Sequence, residues 1–312
     1  MPAHAFKPFR FGVQASTAAS RSEWVAFARR VESLGYRTLT MPDHFTDQLA
    51  PVPALMAVAD ATAELRVGAL VWDNDYKHPV VLAKELATID LLSDGRLEVG
   101  IGAGWMINDY EQAGLPYDPP GVRIDRFVEG LHIIKGLFRG EPLHHQGSHY
   151  KINGLVGRPL PVQKPSPPIL IGGGGKRVLG IAAREADIVG VNGTLTAGRV
   201  APEAIASMRA EAVDEKVAWV RAAQGERDVE LNVRAFFVSV TNERSATAEG
   251  IAALLGFEAD EVLASPFALV GTPAQIVDDL LARRERWGFS YIIVGADEVD
   301  AFAPVVAELN GR

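Results

Sequence analysis

A chain of 312 residues with 48% apolar and 22% charged side chains has a globular composition, long enough for one large α/β domain or two smaller ones, and this excludes a disordered segment. Its net charge of −8 excludes a general nucleic-acid binder, because phosphate-backbone affinity rests on clustered Lys and Arg. With no cysteine, disulfides, thiolate nucleophiles, iron–sulfur clusters and Cys-based zinc sites are all removed, so any redox chemistry must run on a borrowed cofactor.

The opening MPAHAFKPFRFGVQ lacks a long apolar core before a cleavage site, and no run approaches 18 uninterrupted apolar residues; a cytoplasmic protein with no membrane segment is the expectation. A first strand is predicted near 9–14. Ser20 and Glu23 then form a capping-box pattern, and Trp24, Phe27, Ala28, Val31 and Leu34 recur at helical spacing until Gly35, the expected left-handed stop. Strands follow near 37–41, 66–72, 96–101, 168–172, 186–191, 229–240 and 289–294, separated mostly by helical stretches. Near the end Thr272, Pro273 and Gln275 open a helix that closes at Gly288, so VESLGYRTLTM and RERWGFSYIIV read as one helix-to-strand unit used twice.

Eight apolar strands alternating with helices imply a parallel sheet of the size of a closed (β/α)₈ TIM barrel, with a doubly wound open sheet as the structural alternative. Two stretches break the repeat. The proline- and glycine-rich segment 140–168 should be an extended insertion with a short hairpin around His149 to Asn153, and 241–272 should be extra helix before the last barrel helix. No linker divides the chain, so residues 1–312 are expected to form a single domain.

In a barrel, function collects at the carboxyl ends of the strands. The second strand ends in Met41-Pro42-Asp43-His44-Phe45, a carboxylate beside an imidazole, and the alternative is a helix-capping Asp next to a surface His. The third ends in Leu70-Val71-Trp72, an apolar rim suited to a planar ring, although Trp72 fits equally a cover over the barrel top. After the fourth comes Gly100-Ile101-Gly102-Ala103-Gly104-Trp105, with glycines where something approaches the backbone closely. This is neither a Walker motif nor G-x-G-x-x-G.

The fifth strand runs into Gly172, Gly173, Gly174, Gly175, Lys176 and Arg177 and then a helix. Free amide N–H groups, a helix start and two adjacent cations suit a bound phosphate; the alternative is a flexible connection with solvated cations. His144, His145 and His149 lack a carboxylate cluster, so no metal site is expected there. Gln14 at the end of the first strand, where a metal-dependent hydrolase barrel would need His-x-His, speaks against that class too.

At these residues the sequence resembles the luciferase-like monooxygenase superfamily, specifically its branch of oxidoreductases that use the deazaflavin coenzyme F420. The likeness runs from Phe9 to about Val191 and resumes in the last helix and strand. It is carried by Gly35-Tyr36 to Asp43-His44-Phe45, Arg66-Val67-Gly68, Pro79 with Ala87-Thr88-Ile89-Asp90-Leu91, Gly95-Arg96, Gly100 to Gly104, Gly121 to Phe127 and Pro168 to Lys176. The resemblance implies hydride transfer to or from a small organic substrate, with Asp43 and His44 flanking the reactive ring and Leu70-Val71 forming a bulge behind it. That bulge is expected to hold a cis peptide. Gly102, Ala103, Gly104, Trp105 and Asn108 would line the cofactor, and Gly172 to Lys176 would take its phosphate. His44, oriented by Asp43, would give or take the accompanying proton.

Gln14, Gln48, Trp72, Trp105 and Met106 are the expected substrate-side residues. Where F420-dependent sugar-phosphate dehydrogenases of the branch carry a catalytic Glu and a Trp, this chain has Trp105 and Gln48, so a mostly apolar substrate is expected rather than a sugar phosphate. The family alternatives are an FMN-dependent monooxygenase and an F420-binding barrel without turnover. A homodimer is the assembly that the likeness favours.

Overall fold

The computed structural model describes residues 6–312. Eight parallel strands close into a barrel: β1 (Arg10–Gln14), β2 (Thr38–Met41), β3 (Arg66–Ala69), β4 (Leu97–Gly102), β5 (Ile169–Gly173), β6 (Ile188–Val191), β7 (Glu230–Arg234) and β8 (Phe289–Gly295). Closure is made by β1 against β8, Gly12 opposite Ile293, and by β3 against β4, Val67 opposite Leu97. This is the TIM barrel expected from the alternating pattern.

The local grammar accounts for much of it. Ser20 Oγ accepts the Glu23 N–H while the Glu23 carboxylate takes the Ala19 N–H, and Thr272 with Gln275 forms the same reciprocal cap. Gly35 and Gly288 terminate their helices at φ +86° and +89°, a conformation that a Cβ disfavours. Strand residues such as Phe11, Leu39, Val67, Val99 and Ile171 are fully enclosed, as the strands of a parallel sheet covered by helices must be.

Three segments depart from the expectation. The third strand is not continuous over 66–72: it stops at Ala69, passes through a cis peptide between Leu70 and Val71, and re-pairs at Trp72 and Asp73 with Ile101 and Gly102 of β4. Glycines admit this approach, since a side chain on Gly100 would run into the Ala69 carbonyl and one on Gly102 would sit 2.7 Å from Val71 Cγ2. The strand expected over 229–240 leaves the barrel after Arg234, and Phe237–Val240 pairs in parallel with Ala268–Gly271 as a separate two-stranded sheet. The extra segment 241–272 thus holds that strand besides its helices Arg244–Leu255 and Ala259–Ala264. Four apolar residues in a row are too short a run to separate from helix.

In the insertion, the hairpin is longer and earlier than expected, Pro142–Gln146 against Lys151–Val156. Its turn is gripped by Glu129, which accepts the N–H groups of His149 and Tyr150 and faces His145 Nε2 at 2.8 Å. His145 is thereby a partner of a structural carboxylate. Among the described residues, no helix is long and apolar enough to cross a membrane.

Candidate functional site

The carboxyl ends of the strands surround a cavity of about 420 Å³. One wall is backbone. It consists of Gly172 to Gly175, the start of helix Lys176–Glu185, and the loop Asn192 to Thr196 that follows β6. These pieces lock together, because the Asn192 N–H donates to the Gly173 carbonyl at 2.9 Å and Thr194 Oγ1 donates to the Gly174 carbonyl at 3.0 Å. A side chain on Gly174 would collide with the Gly193 carbonyl, and its Cβ would also lie 2.7 Å from the Asn192 oxygen. The helix start adds a positive dipole end. Lys176 and Arg177 border the cavity but are exposed, and Arg177 pairs with Asp125.

The opposite wall is acidic and aromatic. His44 comes from the loop after β2, and its Nδ1 lies 2.6 Å from Asp109 Oδ2. Asp109 stands in the first turn of helix Ile107–Ala113 and is 2% exposed. It also accepts the Tyr76 hydroxyl at 2.8 Å and the Phe45 N–H at 3.3 Å. With the Tyr76 hydroxyl and the Phe45 N–H both donating to it, Asp109 acts as the acceptor of this cluster, so Nδ1 of His44 is the donor and Nε2 is left for another partner. Trp105 stands edge-on to the imidazole with ring centres 5.9 Å apart.

This corrects the expected orienting role of Asp43. Its Oδ2 accepts the Asp73 N–H at 3.2 Å instead, tying the β2 loop to the strand that re-forms after the bulge. Burial is the main influence raising the Asp43 carboxyl above its ordinary range, and the Asp109 carboxylate adds to it. Asp73, 7% exposed and in the same wall, is pushed up to about 7, chiefly by burial, with the Asp75 N–H opposing the rise and the Asp75 charge adding to it. The Tyr110 hydroxyl donates to it at 3.2 Å, pulling the other way.

The floor is Leu70 and Val71, with Asn232 and Arg234 from the end of β7. Gln14 is not on the cavity surface. It sits beneath the bulge, donating to the Leu70 carbonyl at 3.1 Å and accepting from Arg234 Nε at 3.1 Å. Burial lowers the pKa of the Arg234 guanidinium.

Of the residues singled out in the sequence, the cavity brings together Asp43, His44, Leu70, Val71, Gly102 to Trp105 and Gly172 to Lys176. Four lie elsewhere. Asn108 is exposed on the outer face of its helix while the neighbouring Asp109 turns inward. Trp72 is 1% exposed and packs in the core behind the barrel wall, because alternation along the strand sends Asp73 to the mouth and Trp72 the other way. Gln48 bonds the Pro42 carbonyl within its own loop. Met106 caps the short helix without reaching the cavity.

The sequence reading missed Asp73, Asp109, Asn232 and Arg234. Arg234 and Asp73 were within reach of the strand-end rule had β7 and the third strand been ended at the right residues. Asp109 carries no local signal, being 65 residues from its histidine.

A family model described as luciferase-like monooxygenase matches residues 1–291. Among curated proteins, the chain is similar to an FMNH(2)-dependent dimethylsulfone monooxygenase from Pseudomonas putida, 28% identical over 62% of this chain and 49% of that protein. It is also similar to an F420-dependent glucose-6-phosphate dehydrogenase from Microbacterium testaceum, 29% identical over 58% of this chain and 55% of that one. The chain thus spans about half the length of these relatives. Among solved structures, the coenzyme F420 dependent tetrahydromethanopterin reductase from Methanopyrus kandleri superposes with a TM-score of 0.77 at 17% identity, covering 97% of this chain and 98% of that one. Long-chain alkane monooxygenase superposes with a TM-score of 0.75 at 15% identity, covering 97% and 92%.

Proposed function

The chain belongs to the luciferase-like monooxygenase family, and from that premise we propose that it is an oxidoreductase that binds coenzyme F420 in the rim cavity and transfers a hydride to or from a small, mostly apolar organic substrate. The observation that carries this reading is the pairing of a backbone anion cradle, Gly172 to Gly175, with an Asp109-oriented His44 across one cavity.

The residues present suit such a coenzyme. A phosphate fits the glycine wall, where amides and a helix start offer donors and where glycine at 174 lets the loop after β6 pack closely behind the wall. A flat ring fits the floor of Leu70 and Val71, facing His44 and Trp105. When bound, a deazaflavin supplies a two-electron hydride carrier in which carbon replaces the reactive nitrogen of a flavin.

The protein's own part is positioning and proton handling. Asp109 fixes the His44 tautomer with Nδ1 protonated, so that Nε2 is the atom that accepts or returns the proton accompanying hydride movement. Val71, Ala103, Trp105 and Ile124 line the cavity with apolar surface that excludes water from the reacting atoms. Asp73 and Asp43 add two carboxyl groups to the same wall, both raised above their ordinary range chiefly by burial.

The second reading is an FMN-dependent monooxygenase, favoured by the likeness to the Pseudomonas putida protein. Fluorescence titration with F420 and with FMN, followed by a substrate screen for loss of coenzyme colour, separates the two; tight FMN binding with no F420 binding would replace the first by the second. Coenzyme binding without any substrate-dependent colour change would favour a binding barrel. The proposal includes a homodimer, for which exposed Val81, Leu91 and Leu92 on helix Pro79–Leu92 offer apolar surface, and light scattering checks it.

A further inference from the structure

Lys216 projects from helix Ala210–Gln224 toward the back of the loop that forms the glycine-side wall. It is 2% exposed, and its Nζ donates to the carbonyls of Asn192 and Ser207, both at 2.7 Å. Neither acceptor carries a charge.

The charged groups on the elements around it are engaged elsewhere or face solvent. On its own helix, Asp214 pairs with Arg286, Arg221 donates to the Trp287 carbonyl, and Glu211 and Glu215 are exposed. On helix Lys176–Glu185, Glu185 pairs with Lys135, Arg177 with Asp125, and Lys176 and Arg184 are exposed. In the 201–209 stretch Arg209 pairs with Glu261 and Glu203 is exposed. Asp187, before β6, accepts the Ile169 N–H. Among the described residues, Lys216 therefore has no counter-ion, and burial alone pulls its ammonium down to about 8.

The Asn192 carbonyl that Lys216 holds is, with the Gly193 carbonyl, part of the backbone against which Gly174 packs, and Asn192 and Thr194 of that loop bond Gly173 and Gly174 directly. Resting on the reading of Gly172 to Gly175 as a phosphate cradle, we propose that Lys216 is the buried counter-charge of that phosphate and the positioning residue that keeps the Asn192 carbonyl turned away from it. A carbonyl dipole facing a bound anion would oppose it, whereas a cation behind the peptide attracts the anion and holds the dipole in a favourable sense. In the poorly screened interior such a charge acts across a peptide. Linkage follows: an anion that stabilises the protonated lysine raises its pKa on binding, so binding takes up a proton and affinity falls as pH rises above the free value.

The test is a fluorescence titration of the purified protein with F420 from pH 7 to about 10, beside the same titration with its phosphate-free deazaflavin alcohol. The alcohol shares the ring, and with it any titration of the ring, while the phosphodiester itself stays ionised throughout. F420 affinity should be flat below pH ~8 and then weaken by up to about tenfold per pH unit, the alcohol showing no such fall. Lys216→Met should weaken F420 binding at pH 7 by about tenfold and remove the slope. An unchanged slope in Lys216→Met, or the same slope with the alcohol, would overturn the inference.

If the variant does not fold, calorimetry of the wild-type protein in two buffers of different ionisation heat at about pH 8.5 decides: proton uptake on F420 binding supports the proposal, and none overturns it. Should F420 fail to bind at any pH, the coenzyme reading falls on its own. The calorimetric measurement with FMN, read against riboflavin, then tests Lys216 independently: phosphate-dependent uptake supports its role, and equal uptake or no binding overturns it.

Discussion

The two ends of the barrel treat buried charge in opposite ways. At the amino-terminal end of the strands, Arg10 pairs with Glu98 at 2.5 Å and with Glu230 at 2.7 Å, Arg66 reaches Glu98 at 2.8 Å, and the Arg10 guanidinium lies 3.6 Å from the centre of the Tyr291 ring. Attraction there outweighs the cost of burial, and the Arg10 pKa is raised. At the carboxyl-terminal rim the balance reverses: Asp43 and Asp73 are shifted toward their neutral forms by burial, and so are Arg234 and Lys216. Charges that satisfy one another hold a fold together, whereas buried charges left short of partners mark the place where something else is to bind.

That contrast can be broken most forcefully at His44. His44→Ala should lower turnover by about 10²- to 10⁴-fold, the usual worth of a positioned acid–base group, while changing F420 affinity only a few-fold; steady-state rates beside a coenzyme titration check it. Asp109→Asn should follow with a smaller fall in rate, since the imidazole stays but its tautomer is no longer fixed.

At the other end, Arg10→Met should leave coenzyme affinity intact and destabilise the fold by about 3 kcal/mol, because Glu98 and Glu230 lose their shared partner while partly buried. Urea unfolding reads this. Loss of turnover without loss of stability would contradict the division between the ends.

Gly174→Ala should weaken F420 by about ten- to a hundredfold, corresponding to about 1–3 kcal/mol of overpacking against the Gly193 and Asn192 carbonyls.

A further effect concerns pH. The Asp73 carboxyl is raised to about 7 in the folded protein, so its contribution to stability is complete at low pH, below the ordinary carboxylate range, and is lost as pH rises through about 7. Asp73→Asn cannot ionise, and its stability relative to wild type should improve between pH 5 and 8 by about 2–3 kcal/mol. Urea midpoints at the two pH values test it.

The barrel was legible because its signals are local. Caps at Ser20 and Thr272, stops at Gly35 and Gly288, and apolar runs of strand length lie in short windows, and the caps and stops are found where the sequence predicts them. The glycine wall was legible for the same reason, since Gly172 to Gly175 are consecutive and flanked by a strand and a helix. The acidic wall was legible in Asp43, His44 and Trp105 but not in how these residues are paired. The His44 partner Asp109 arrives from another loop, and Asp43, adjacent in sequence, is turned aside to the Asp73 amide.

Trp72 and Asp73 show a second limit. A one-residue choice of face decides which of them enters the cavity, and size made the tryptophan the more conspicuous. Lys216 shows a third, because a lysine in the middle of a helix reads as solvated until tertiary packing encloses it.

The central claim, that the unbalanced rim is a coenzyme site joining an anion cradle to a proton-handling histidine, is tested most directly by fluorescence titration with F420 of wild type, Gly174→Ala and His44→Ala in parallel. Saturable binding that weakens at least tenfold in Gly174→Ala and stays within a few-fold in His44→Ala is the result expected. Absence of F420 binding to the folded wild-type protein, or equal affinity in wild type and Gly174→Ala, would contradict it.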